Sequence, residues 1–296
     1  ALEGSDTARQ MGAPAAAKSQ FAGFLLPGSL LSLHINSATD DGDLKSTLEL
    51  LDQFRAQAME AFDEDEDFDD EERGVTKEVV GELIGVVAET LKRGRLNLGL
   101  AVVGEAPFNL ALGGFVADGP GLEQIFRKLA ARAEGDPDAP TVKFDVAEQE
   151  GVRFHTLTFP ASDTPESDPF KQLLGNPLTL TLGFGAQSVY AAFGPDGIGT
   201  IRQVMAGSSA SVPDASQVHV RLSLGQVLEI AGKLGGDHPF GDEAALSLRG
   251  GDDDHLHVMV KPIANGVQLR VEVEEGILKL LGNAAKMAMP GGGNLR

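Results

Sequence analysis

RLNLGLAVVGEAPFNLALGGFV, residues 95–116, alternates with a period of two on either side of the turn residues Gly104 to Pro107. Leu96, Leu98, Leu100 and Val102 share one side of the first run, and Phe108, Leu110 and Leu112 align in the second. Successive side chains of an extended chain point to opposite faces, so the pattern predicts two antiparallel strands joined by a turn. A helix is predicted next, in DGPGLEQIFRKLAARA (118–133), opening at Gly/Pro punctuation. The order hairpin then helix recurs. LTLTLGF (178–184) and SVYAAFG (188–194) precede PDGIGTIRQVM, and HLHVMVKP (255–262) and VQLRVEV (267–273) precede EEGILKLLGNAAKM. TVKFDVAEQEGVRFHTLTF (141–159) reads as a further hairpin about Glu150-Gly151.

Strands running straight into helices open both halves of the chain. Leu31, Leu33 and Ile35 share a strand face ahead of an amphipathic helix over 43–62, and VHVRLSLGQVLEIAGKL (218–234) repeats that order. A second helix is predicted over 75–92, with Val80, Leu83, Ile84, Val87 and Leu91 at helical spacing and Gly94 as its C-cap. Antiparallel hairpins punctuated by helices predict an α+β fold built from hairpin–helix units. An internal duplication is expected, with helices packed on the apolar sheet face and a wetter face opposite. The expected boundaries are a leader (1–22), a first half (23–160) containing an acidic inter-helix loop (63–74), a second half (161–290) and a tail (291–296).

The chain has 296 residues, enough to bury a substantial core. Its formal charge is −20, and setting aside the nine acids of residues 63–72 still leaves −11, so the acidity is general. A surface of that sign repels phosphate backbones and anionic lipid heads, so no nucleic-acid partner is expected. There is no Cys, which excludes disulfides, thiolate metal sites and cysteine nucleophiles. No apolar run approaches the ~18 residues of a membrane span. ALEGSDTARQMGAPAAAKSQ (1–20) has the small, polar character of a segment left after signal-peptide removal. Export to a periplasm, the cell surface or the medium is the expectation.

Two stretches offer metal ligands. DEDEDFDDEE (63–72) is the first. An EF-hand loop needs Gly at its sixth position and a bidentate Glu at its twelfth, but counting from Asp63 those positions hold Phe68 and Gly74. The run therefore reads as a solvated connection, with a weak Ca2+ site at Asp63, Asp65, Asp67 and Asp69 as the alternative. GGDDDHLHVMV (250–260) is the second: His255 and His257, two apart on a predicted strand, project to one face. Such a pair can supply two of the three ligands of a catalytic zinc, with Asp254 or a neighbouring acid adding a carboxylate. By alternation with Leu256, Val258 and Val260 the two rings are expected on the wetter face.

No G-x-S-x-G elbow, phosphate-binding glycine loop or H-E-x-x-H motif occurs. LLPGSLLSLHINS followed by an amphipathic helix, together with the closing GILKLLG, resembles uncharacterised exported bacterial proteins. That resemblance implies an exported, duplicated α+β protein and assigns no functional residue. The expectation is a non-catalytic structural or binding module without a cofactor, joined to a protein partner or to itself. The alternatives are a carrier of a lipid or other apolar ligand between a curved sheet and its helices, and a metal-dependent hydrolase using His255 and His257.

Overall fold

The computed structural model describes residues 19–39, 41–64, 69–137, 139–160, 173–210, 216–233, 253–263 and 266–288. Strand β1 (Leu31–Ala38) leads into a pair of long helices, α1 (Asp41–Glu64) and α2 (Asp70–Lys92). Helix α2 begins five residues before the predicted start because acids cap it. Asp69 Oδ1 accepts from the Glu72 amide at 2.8 Å, while the Asp69 amide donates to Glu72 Oε2 at 3.4 Å. This reciprocal arrangement is a capping box, and it places negative charge at the positive end of the helix.

The strand pairs follow as read from the sequence. The hairpin β2 (Arg95–Val103) and β3 (Asn109–Phe115) precedes α3 (Gly119–Arg132). The hairpin β4 (Thr141–Gln149) and β5 (Val152–Thr158) turns at Glu150 and Gly151, with φ of 51° and 76°. Two successive left-handed residues match the twist of the flanking strands, which is why Gly stands at the second. β6 (Thr179–Phe184) and β7 (Ser188–Phe193) lead to α4 (Gly197–Ala210), and β8 (Val218–Ser223) leads to α5 (Leu224–Lys233). β9 (His255–Ile263) and β10 (Gly266–Val273) end in α6 (Glu275–Ala288).

All ten described strands join one antiparallel sheet, in the order β10-β9-β8-β1-β2-β3-β7-β6-β5-β4. The two halves expected from the sequence are thus interleaved: β1 pairs with β8, β3 with β7, and β5 with β6. The fold is α+β with a single sheet.

The face that carries the main core is the reverse of the one expected. In β1 and β2 the buried positions are Ser32, His34, Asn36, Asn97, Gly99 and Ala101, while the leucines between them are less buried. Registration explains why. His34, Gly99, Gly113, Tyr190, Gly183 and Phe154 form one row across six strands, in the order in which those strands pair. Gly99 and Gly113 leave a trough that receives Phe24 from a 3-10 turn, Ala22–Phe24; a Cβ on Gly113 would stand 2.8 Å from Phe24 Cζ. Phe21, Phe24, Phe154 and Tyr190 then pack with Ile201, Val204 and Met205 of α4. Each such side chain removed from water contributes about 1.5–3 kcal/mol. Residues 19–22, expected in the leader, instead supply Ser19 and Phe21 to this interior.

The opposite face carries the aliphatic row. Val271, Val258, Val220, Leu33, Leu100 and Leu112 follow one another across six strands. At the far end of this face, Phe126 of α3 stacks on Phe184 with ring centroids 5.9 Å apart. Helices therefore lie against both faces: α4 where small residues admit it, α3 where Phe126 finds Phe184. The expectation of helices on a single face is corrected accordingly. No described helix is long and apolar enough to cross a membrane.

Candidate metal centre

His255 and Asp254 stand where β9 begins, beneath the start of α5. Asp254 fastens that helix: its Oδ2 accepts from Ser223 Oγ at 2.6 Å and from the Gly225 amide at 2.9 Å, and its carbonyl accepts from the Leu224 amide. Its Oδ1 faces His255 Nδ1 at 3.1 Å. The third group, Glu274, arrives from the end of β10 immediately before α6. Glu274 Oε2 lies 3.1 Å from the same Nδ1 and accepts from the His255 amide at 2.8 Å. One atom from each of Asp254, His255 and Glu274 therefore falls within 4.8 Å of the others. Asp254 and His255 are buried, whereas Glu274 is part-exposed.

His255 Nδ1 also lies 3.3 Å from Arg221 Nη2. A ring nitrogen offers either a proton or a lone pair. A proton suits the two carboxylates and a lone pair suits the guanidinium, so Nδ1 cannot serve all three at once. A proton on Nδ1 serves the carboxylates; a cation in its place would take the lone pair and both carboxylates as donors, and in either state the Arg221 contact is not a hydrogen bond to Nδ1. Ligands on a tetrahedral zinc with bonds of ~2.0–2.2 Å stand about 3.3 Å apart, close to the two separations of 3.1 Å found here. His255 Nε2 is buried without a hydrogen-bond partner among the described residues. A ligating histidine usually has a partner on that second nitrogen.

His257 has a different part from the one its spacing suggested. Its Nε2 lies 2.9 Å from Glu274 Oε1 and its Nδ1 lies 3.4 Å from His219 Nε2. It hydrogen-bonds the carboxylate and lies outside the three-residue cluster, so the His-x-His pair brings one ring nitrogen to the cluster, not two. Burial pushes the Glu274 carboxyl up, but hydrogen bonds from His257 and from the amide and ring of His255, with the charge of His255, outweigh it. The net result holds Glu274 below its ordinary range, so it is an anion at neutral pH. Glu274, His219 and Arg221 were not among the residues singled out from sequence. The predicted pairing of 255–262 with 267–273 was the available signal, since its register, Leu256 opposite Val273, brings Glu274 back to His255.

Glu123, Asp145 and His155 also converge within 4.8 Å. Here the lone pairs are already taken. Arg127 binds Glu123 Oε1 at 2.9 Å and Asp145 at 2.8 Å, and Arg153 closes on Glu123 Oε2. The Asp145 amide donates to His155 Nδ1 at 3.0 Å, which leaves the ring proton on Nε2, 3.3 Å from Glu123 Oε1. Two guanidiniums balance two carboxylates, and nothing in the arrangement calls for a further cation. The Phe126, Phe144 and Phe184 rings enclose the imidazole.

This enclosure has a pH consequence. Burial pushes the His155 pKa down, reinforced by Arg127 and Arg153 and opposed by Glu123 and Asp145. The folded state therefore binds its proton less readily than the unfolded chain. The stability tied to the neutral ring is complete above the unfolded value of ~6.5 and is lost as pH falls towards the folded one. Between about pH 7.5 and about pH 5.5 the melting temperature of the wild type should fall further than that of His155→Gln, which keeps an acceptor for the Asp145 amide. Parallel melting curves would mean that the ring is not held neutral.

Of the acidic candidates, Asp63 lies in the last turn of α1 and pairs with Lys77, while Asp69 caps α2. Asp65 and Asp67 fall outside the described residues. The two described acids are engaged in helix structure. Comparisons with protein-family models, with curated proteins and with solved structures found no match to this chain.

Proposed function

We propose that this protein binds a divalent metal ion through Asp254, His255 and Glu274, and that the centre serves metal-dependent hydrolysis. The observation that carries the reading is the pair of 3.1 Å separations from His255 Nδ1 to two carboxylates of different elements. Zinc is the best chemical match, since an imidazole and two carboxylates suit its borderline character and leave a fourth position. When bound, such an ion activates water by lowering its pKa. Asp254 and His255 form the closed side of the site, and the part-exposed Glu274 and His257 form the side from which water and substrate approach. His257 holds Glu274 in its ligating orientation and provides a proton carrier beside it.

Elemental analysis after exposure to zinc and gel filtration is the direct test. About one equivalent should remain on the wild type and well under half on His255→Gln, a change that spares the Asp254 cap of α5. Equal zinc on both proteins would place the metal elsewhere, the acidic run being the obvious competitor, and the proposal would be wrong. A strand, then helix, then a hairpin and a closing helix run from β1 to α3, with two helices after the strand, and from β8 to α6, with one among the described residues. This order supports reading the chain as an internal duplication with the metal centre in the second copy.

A further inference from the structure

The two edges of the sheet are built differently. At one edge, β4 is broken by a register shift between Lys143 and Ala147, where Asp145 takes a left-handed φ of 54°. A bulge of this kind blocks the addition of another strand. At the other edge, β10 pairs with β9 through eight consecutive residues without a shift. Its aliphatic side presents Val267, Leu269, Val271 and Val273, with Leu269 64% and Val271 55% exposed. Leu278 and Leu281, in the helix that follows, are exposed as well. Gln268, Arg270 and Glu272 alternate on the other side. Among the described residues β9 is the one strand paired with β10, and an even strand with an apolar face and an open edge is a template for strand addition.

Its charges select the occupant. Antiparallel pairing of β10 with its own copy requires a two-fold axis normal to the sheet, so each residue meets a symmetry mate on the same face. An axis at Arg270 sets two guanidiniums opposite each other, and an axis at Glu272 sets two carboxylates opposite. An axis at Val271 instead places Arg270 of each copy opposite Glu272 of the other, Leu269 opposite Val273, and Val271 opposite itself. Arg270 and Glu272 already pair within one strand, so the groups are poised to exchange partners across the axis. We propose that a second copy of this chain adds to β10 in this register, joining two ten-stranded sheets edge to edge and extending the aliphatic face across both.

Sedimentation equilibrium on the full chain between ~1 and ~100 µM tests the idea, since association follows mass action. A monomer–dimer equilibrium is expected, which Arg270→Glu weakens at least ~10-fold by setting carboxylates opposite one another on both sides of the axis. The exchange Arg270→Glu with Glu272→Arg should restore it. If Arg270→Glu does not fold, by circular dichroism, Val271→Lys carries the test at an exposed position and should dissociate the dimer. A wild type monomeric at ~100 µM overturns the proposal, as does a dimer indifferent to whichever variant folds. Dissociation that the double exchange fails to reverse overturns the register. Capture of an unrelated strand in place of a second copy would count equally against it.

Discussion

A single methyl group on Gly23 should lower the stability of this protein by about 3 kcal/mol or more. Gly23 lies in the 3-10 turn that carries Phe24 over the sheet, and its amide donates to Ser208 Oγ at 2.9 Å. A Cβ there would overlap the Val204 carbonyl oxygen and the Ser208 amide nitrogen. Both are backbone atoms of α4, so no rotamer change relieves the clash. Either the turn or the helix must move, and Phe21 and Phe24 lose their fit in either case. Gly85 in α2 is the natural control, because a Cβ there meets nothing within 4 Å. Gly85→Ala should be neutral or stabilising by up to about 1 kcal/mol. Urea denaturation of the three proteins reads the difference directly, and a Gly23→Ala midpoint matching wild type would refute the close packing of turn on helix.

Glu123→Ala should cost about 3 kcal/mol. Glu123 is 2% exposed and is the common partner of Arg127, Arg153 and His155. Losing one member of a buried pair leaves the others without compensation, an effect of about 3–5 kcal/mol in interiors. The lower figure applies because both arginines are partly exposed and water answers some of their charge. A double-mutant cycle with Arg153→Ala should recover a coupling of at least about 1 kcal/mol. Additive losses would show that the short contact contributes nothing on its own.

The strands and their hairpin pairings were legible because alternation is a direct projection of backbone geometry, as in residues 95–103 and 178–184, whereas their order in the sheet was not. Nor was the side that packs. Hydrophobicity points to the leucines, whereas close approach of Phe24 and α4 depends on the small size of Gly99, Ala101 and Gly113, a steric property that alternation does not report. At the candidate centre, Asp254 and His255 were visible as neighbours on one strand. Glu274 was not, because only the β9–β10 pairing brings it back to His255 after 19 residues. The pairing of His257 with Glu274 likewise depends on which ring nitrogen reaches the carboxylate, and that is a matter of three-dimensional placement.

The interleaved strand order also bears on how the molecule is made. β1 lies beside β8, nearly two hundred residues later in the chain, and β6 and β7 slot between strands synthesised before them. A nascent chain that stops after β5 has no way to close the sheet, so β1, β3 and β5 keep edges open to wrong neighbours until β6, β7 and β8 have followed. The sheet is thus committed to closing only once β8 has been made, a schedule that favours keeping the growing polypeptide guarded until β6 to β8 have appeared.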